Sequence, residues 1–285
     1  MDSLKTIILN QKSTTDIKGL IEIYEEVAAL KMQKVRKEVM DSQAYFDGLA
    51  RLSDEVALDL TQYYEGKRKV AAVFLSSETG MYGDLIDKVM VSYVNFVKSN
   101  EADAFVIGKF GVNLMASYAP EVHFTEISLS GENEKISEGD LSVLMNKLSE
   151  YSKISVFHGR FESIARQSSV SSTISGPDIQ KYEGKDLAGS GVSKKHKEER
   201  RLLNIYEPDV ATISEKFGKE ISASVVDQSV RENQLAKYAA RLMHLDDALY
   251  NVSKKLDSLD ITKKRMRKRM EQKKQIERIA RWKRL

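Results

Sequence analysis

The 285-residue chain contains no cysteine. This absence excludes a disulfide framework, a thiolate nucleophile and a zinc site built on cysteine. The four histidines are scattered along the chain and show no metal-ligand spacing: His123, His158, His196 and His244. We therefore expect no metal site.

Proline is scarce, and its positions divide the chain. The three prolines are Pro120, Pro177 and Pro208, so none falls in the first 119 residues or the last 77. A proline inside a helix removes a backbone hydrogen bond and kinks or breaks the helix. Both ends of the chain are therefore free to form long helices.

Long hydrophobic runs are missing as well. No segment approaches the roughly 18 apolar residues that a membrane-spanning helix needs. The first residues, MDSLKTIILNQKS, lack the basic and apolar regions of a signal peptide. On this basis we expect a soluble, intracellular protein.

Apolar residues recur at spacings of three and four at both ends of the chain. The N-terminal stripe consists of Ile17, Ile21, Tyr24, Ala28, Met32, Val35, Val39, Phe46, Leu49, Val56 and Leu60. The C-terminal stripe consists of Tyr238, Leu242, Leu245, Leu249, Val252, Leu256, Leu259, Met266 and Met270. A helix of about 55 to 60 residues is on the order of 80 to 90 Å long, so its stripe needs a partner helix of similar length. The pattern predicts an antiparallel coiled coil of the two ends; two separate amphipathic helices are the alternative.

Between the stripes the pattern changes to short apolar segments separated by helical ones. The predicted strands are Lys69–Leu75, Ala102–Lys109, Val122–Leu129 and Lys153–Phe157, with a further short strand near Val170–Ile174. Strands that alternate with helices predict a parallel α/β sheet. The predicted organisation is a helix over 1–62, an α/β domain over 63–175, a polar, glycine-rich mobile loop over 176–207, and a helix over 208–285. We expect Asp209 to open this last helix and Gly218 to interrupt it.

The loop after the first strand is the place where an α/β domain would bind a nucleotide. Its sequence, Ser76–Asp84, contains Gly80 and Gly83 but neither G-x-G-x-x-G nor a phosphate-binding G-x-x-x-x-G-K-[ST] motif. Glu78 and Asp84 would also repel a phosphate. We therefore expect no cofactor and no catalytic residues, and we interpret the two glycines as parts of a tight strand-to-helix turn.

The C-terminal end is strongly basic. Residues 261–285 contain twelve Lys or Arg and two Glu, a net charge of +10, while the whole chain carries +3. This segment could contact an acidic protein surface, a nucleic acid or an anionic membrane, or it could be a solvated helix end.

Short motifs in a fixed order resemble one family, the gamma subunit of F-type ATP synthases. They are Val27-Ala28-Ala29 with Lys31, Ser77–Gly83 after the first strand, Val106–Lys109, Phe161-x-Ser163 with Gln167, Tyr206–Pro208, and Ala239–Ala248 with Asn251. There are also departures from the family. Glu22–Glu26 stands where the family has a basic run, and the basic tip of this chain replaces a small apolar one.

The resemblance implies a Rossmann-like α/β domain inserted between two helices that form an antiparallel coiled coil. It implies a non-catalytic rotor in the central stalk, surrounded by alpha and beta ATPase subunits. The α/β domain would bind an epsilon-like subunit and the membrane c-ring. The complex would carry out proton or ion transport, with this chain peripheral to the membrane on its cytoplasmic face.

By the same resemblance, the candidate contacts between rotor and stator are Lys31, Arg241, Arg267 and Lys268. Alignment from Asn251 without gaps places the family's Arg-Gln pair at Arg267-Lys268, so the Arg is retained and the Gln is not. The alternative function is a coiled-coil scaffold that binds nucleic acid through the basic end, with Trp282 available for stacking.

Overall fold

The computed structural model describes residues 4–56, 69–127, 137–174, 207 and 209–282. In chain order the elements are α1 (Leu4–Val56), β1 (Lys69–Leu75), α2 (Leu85–Asn100), β2 (Asp103–Ile107), α3 (Lys109–Tyr118), β3 (Phe124–Ile127), α4 (Glu138–Leu148), β4 (Tyr151–Ser163), β5 (Arg166–Ile174) and α5 (Val210–Trp282). The polar loop predicted over 176–207 lies outside the described residues except for Glu207.

The five strands form one sheet in the order β3-β2-β1-β4-β5. β1 pairs in parallel with β2 and β4, and β2 pairs in parallel with β3. β5 is antiparallel to β4. The prediction of a parallel sheet is thus correct for four strands and wrong for the fifth. The physical reason is the short turn between Ser163 and Arg166, because only antiparallel neighbours can be joined so directly.

Side chains of β1 alternate between two cores. Ala71, Val73 and Leu75 pack on one face, with residues of α4 and α5 and with Phe46 of α1. Ala72 and Phe74 pack on the other face with residues of α2 and α3. Helices therefore cover both faces, as expected for a largely parallel sheet.

The chain divides into two compact units, 31–240 and 1–30 with 241–285. In the larger unit, α1 and α5 run antiparallel, as three contacts in reverse order show. Glu38 Oε2 lies 3.4 Å from Arg231 Nη1, Ser42 Oγ donates to Asp227 Oδ2 at 3.1 Å, and Tyr45 Oη donates to Glu220 Oε1 at 2.8 Å. An apolar cluster accompanies them: Met32, Val35, Val39, Leu235, Tyr238 and Ala239.

In the smaller unit, Lys263 Nζ donates to Gln11 Oε1 at 2.7 Å. Ile7 and Ala28 are buried there, but Ile17 and Tyr24 are 48% and 59% exposed. The predicted N-terminal stripe is therefore confirmed from Ala28 to Phe46 and wrong at Ile17 and Tyr24, which lie on the solvent side of α1. Leu60 and the side chain of Val56 lie outside the described part of the chain.

The start of helix α5 agrees with the sequence prediction, but the helix has no interruption where the sequence predicted one. Asp209 caps it, because Oδ1 accepts from the Thr212 amide at 2.7 Å. Hydrogen bonds from the amide and the hydroxyl of Thr212 lower the pKa of the Asp209 carboxyl. The predicted interruption at Gly218 is wrong, since α5 is helical from Val210 to Trp282. Gly218 is buried, and packing of the surrounding residues outweighs the weak helix propensity of glycine.

Replacement of Phe46 by Ala tests the attachment of α1 to the sheet. Phe46 is 2% exposed and belongs to the core beneath the sheet. We expect Phe46→Ala to lower the free energy of unfolding by about 3–5 kcal/mol, because the cavity adds to the lost burial. Urea unfolding measures it. Leu52→Ala, at a site 44% exposed, is the control and is expected to have a much smaller effect. Equal losses would contradict the placement of Phe46.

Candidate functional site

The four residues suggested for rotor–stator contact lie on the two long helices. Lys31 is half-buried on α1, with Nζ 6.0 Å from the centre of the Tyr238 ring, a cation–π contact. Arg241 is half-buried on α5, and Arg267 and Lys268 are exposed on the same helix. Lys31 belongs to the larger compact unit, and the other three belong to the smaller one.

The two suggested turn glycines differ in conformation. Gly83 has a φ of 60°, and the non-glycine Met81, two residues before it, has a φ of 70°. At Gly80 an added Cβ would lie 3.5 Å from Phe110 Cε2, an ordinary contact. Gly108, which follows β2, has φ 98, and a Cβ there would lie 2.6 Å from the Ser77 carbonyl oxygen. The loops after β1 and β2 thus approach so closely that Gly108 is required by both conformation and space.

A crevice forms beside the carboxyl end of β1, where the strand connections diverge. The chain passes from β1 to β2 through α2, and from β3 to β4, on the other side of β1, through α4. In doubly wound folds this is the position at which ligands bind. Here Asn233 of α5 occupies it. Asn233 Oδ1 accepts from the Gly159 amide at 2.9 Å, and Nδ2 donates to the Leu75 carbonyl at 3.0 Å.

Lys237, one turn further along α5, enters the same crevice. Its Nζ donates to the Ser76 carbonyl at 3.0 Å and lies 5.7 Å from the centre of the Tyr82 ring. A cavity of about 30 Å³ remains beside these residues, lined also by Glu78, Ile107 and Gln234. This cavity has the size of one or two water molecules and cannot hold a nucleotide.

Beyond the crevice, β4, β5 and α5 share a buried polar cluster. His158 is fully buried and Glu232 is 4% exposed. His158 Nδ1 lies 3.1 Å from the Gly159 carbonyl, which can only accept, so Nδ1 carries the proton. Nε2 then accepts from the Ser172 hydroxyl at 2.9 Å. Arg160 Nε lies 3.8 Å from Glu232 Oε2.

Burial shifts both titratable groups of this cluster toward their neutral forms. It lowers the pKa of His158 to about 4, although the hydrogen bond to Gly159 opposes the shift. It raises the pKa of Glu232, although the nearby Arg160 charge opposes that shift. The Nδ1 to Glu232 Oε2 distance of 4.0 Å is therefore not an ion pair at neutral pH, because His158 is uncharged.

Ser172, His158 and Glu232 have the residue types of a catalytic triad but not its arrangement. The His158 Nδ1 proton goes to a backbone carbonyl, and Ser172 is 2% exposed, so no substrate can reach its hydroxyl. Within the described ranges, no group of three His, Asp or Glu residues could hold a metal ion. This cluster joins α5 to the sheet.

The sequence analysis did not predict the buried polar residues of α5 as part of a site. Asn233, Lys237 and Glu232 are polar residues of a kind usually found on the exposed face of a helix. The available signal was the apolar residues on all sides of α5 around them, including Val225, Val226, Val230, Leu235 and Ala236, which indicate burial all round.

Among the described helices, none is both long enough and apolar enough to span a membrane.

The pH dependence of stability tests the His158 environment. The unfolded chain binds a proton at His158 below about pH 6.5, but the folded chain does so only near pH 4. The free energy of unfolding therefore falls as pH drops from about 6.5 to 4, by about 3 kcal/mol from this group. The raised pKa of Glu232 changes the free energy of unfolding with pH in the opposite direction. A comparison with His158→Gln is therefore needed to isolate the contribution of His158. We expect a shallower pH slope for this variant in urea unfolding; an unchanged slope would contradict a neutral, buried His158.

A family model described as ATP synthase matches residues 3–271. The ATP synthase gamma chain of Psychrobacter sp. (strain PRwf-1) is 24% identical over 284 residues, which cover 94% of both proteins. The ATP synthase gamma chain of Amoebophilus asiaticus is 24% identical over 279 residues, covering 92% of this chain and 91% of the relative.

Solved structures show the same fold. The rotor of Euglena gracilis mitochondrial ATP synthase matches with a TM-score of 0.64 at 17% identity, covering 94% of this chain and 98% of the other. The central stalk and c-ring structure of Tetrahymena thermophila mitochondrial ATP synthase matches with a TM-score of 0.56 at 12% identity, covering 80% of this chain and 99% of the other. The match to the family model includes α1, the whole sheet and most of α5, and the chain therefore belongs to the ATP synthase gamma family.

Proposed function

We propose that this chain is the central-stalk rotor subunit of an F-type ATP synthase or ATPase, and that it couples rotation to ATP synthesis or hydrolysis and to proton or ion transport. The observation that carries the proposal is the family match over residues 3–271. It includes α1, the sheet and most of α5, which together are the parts that a rotor requires.

The shaft of this rotor is an antiparallel coiled coil of α1 and α5. The reversed order of the contacts at Glu38, Ser42 and Tyr45 supports this arrangement, as does the Gln11–Lys263 hydrogen bond. Rigidity is the functional property of such a shaft, because torque is lost wherever a helix bends.

The chain itself is non-catalytic in this proposal. Alpha and beta subunits surround the shaft, and its asymmetric surface makes their catalytic sites inequivalent, so that each shaft angle favours one set of site conformations. Lys31, Arg241, Arg267 and Lys268 are the proposed contacts with that ring. Arg267 and Lys268 are exposed, which suits contact with acidic residues.

The sheet domain (residues 69–174) is the proposed attachment point for an epsilon-like subunit and the membrane c-ring. The turn with Gly80 and Gly83 belongs to this domain. The chain would then be peripheral to the membrane, on its cytoplasmic face. Solved neighbours include the OSCP/F1/c-ring assembly of Euglena gracilis mitochondrial ATP synthase, with a TM-score of 0.54 and 18% identity.

The nucleic-acid scaffold gains no support from the relatives. The basic segment that suggested it is helical and exposed from Arg267 to Trp282. The family model ends at residue 271, within this segment. Binding of RNA that falls steeply with salt and disappears on truncation after Asp260 would favour the scaffold.

Purification under native conditions tests the proposal directly. We expect mass spectrometry of the purified complex to find two homologous ATPase subunits, each in threefold excess over this chain. The matched control is a chain truncated after Asp260, which keeps the sheet domain and isolates the contribution of the basic end. Recovery of this chain alone or as a simple dimer would contradict the proposal.

A proline in the shaft tests the role of its rigidity. Leu245 is half-buried on α5. We expect Leu245→Pro to abolish ATP-driven ion transport, because proline costs about 3 kcal/mol inside a helix and kinks it. The comparison is Leu245→Ala, which removes the same side chain but keeps the helix. Transport per ATP is measured in membrane vesicles, and equal transport in the two variants would count against a rigid shaft.

A further inference from the structure

The joint between α5 and the sheet has an unusual construction. β1 and β4 pair in parallel as far as Phe74 and Phe157. Beyond that point β4 continues to Ser163, paired with β5, while Ser76 donates its amide to the Ile107 carbonyl at 2.9 Å, on the β2 side. A gap therefore opens between the two central strands at the carboxyl end of β1.

Asn233 bridges this gap. The Leu75 carbonyl and the Gly159 amide are the groups that would form the next hydrogen bond of a parallel ladder. Instead, the carboxamide of Asn233 donates to the first at 3.0 Å and accepts from the second at 2.9 Å. One side chain of α5 thus replaces one rung of the sheet, and Asn233 is only 3% exposed.

We infer that Asn233 is the residue that locks the shaft to the sheet domain, so that torque passes between them without slippage. This inference rests on the proposed rotor function. Apolar contacts are non-directional and so fix the position of a helix less sharply than hydrogen bonds do. A carboxamide inserted between two strands resists sliding, since any displacement leaves buried donors and acceptors without partners.

Neighbouring residues fit this role. A Cβ added at Gly159 would lie 3.2 Å from Ala236 Cβ, so the glycine allows α5 to approach β4 closely enough for Asn233 to reach both strands. Lys237 adds a second anchor on the same helical face through the Ser76 carbonyl. Asparagine suits the bridging position because it has both a donor and an acceptor; aspartate lacks the donor, and leucine lacks both.

The test uses the whole complex with Asn233→Leu, which has nearly the same size but no hydrogen-bonding groups. We expect assembly and ATP hydrolysis to be retained. The Gly159 amide should exchange with solvent roughly ten- to a hundredfold faster, because it loses its acceptor. Ions transported per ATP should fall several-fold. Asn95→Leu, at an exposed site on α2, is the control and should change none of these quantities.

Transport per ATP equal to that of the wild type, despite faster exchange at Gly159, would overturn the inference. If Asn233→Leu does not assemble, Asn233→Ala, which also removes both the donor and the acceptor, is judged by the same measurements and the same criterion. A wild-type complex without ATP-driven transport would instead contradict the proposed function, and the exchange measurement would still test whether Asn233 holds the two strands.

Discussion

The structure depends on the burial of one segment of α5 against the sheet, at the gap between β1 and β4. From Ile221 to Ala240 almost every residue of this helix is buried, including Gln228, Glu232, Asn233 and Lys237. Buried polar groups are costly unless they find partners. Asn233 and Lys237 find theirs at the carboxyl end of β1 and on β4, and these hydrogen bonds fix the position of α5 on the sheet.

This constraint also determines the position of α1 in the larger unit. With α5 fixed, Arg231 faces Glu38 at 3.4 Å and Asp227 lies within 3.1 Å of Ser42, which sets the register of the two helices. The apolar contact of Val35 and Val39 with Leu235 follows from the same register. The sheet, the joint and the base of the shaft thus form one packed unit. In the proposed rotor, this is the part that must not deform under load.

Much of the fold could be predicted from the sequence because its periodicity is strong. The scarcity of proline indicated the long helices, and alternation of apolar segments indicated the strands. The direction of β5 could not be read from periodicity, because pattern gives no strand orientation and the short connection to β4 decides it. Ile17 and Tyr24 were misplaced because a heptad pattern permits more than one register. The role of Asn233 could not be predicted, because it depends on the gap between β1 and β4, and in the sequence Asn233 looks like any polar residue on a helix surface.

Rotation of a single complex is the most direct test of the account. The alpha and beta subunits would be fixed to a surface, and a bead attached through Ser99→Cys, an exposed site on α2 in a chain without other cysteines. The account predicts that the bead turns in one direction when ATP is added, with three pauses in each revolution. A bead that stays still while the same complexes hydrolyse ATP would contradict the assignment of this chain as the rotor.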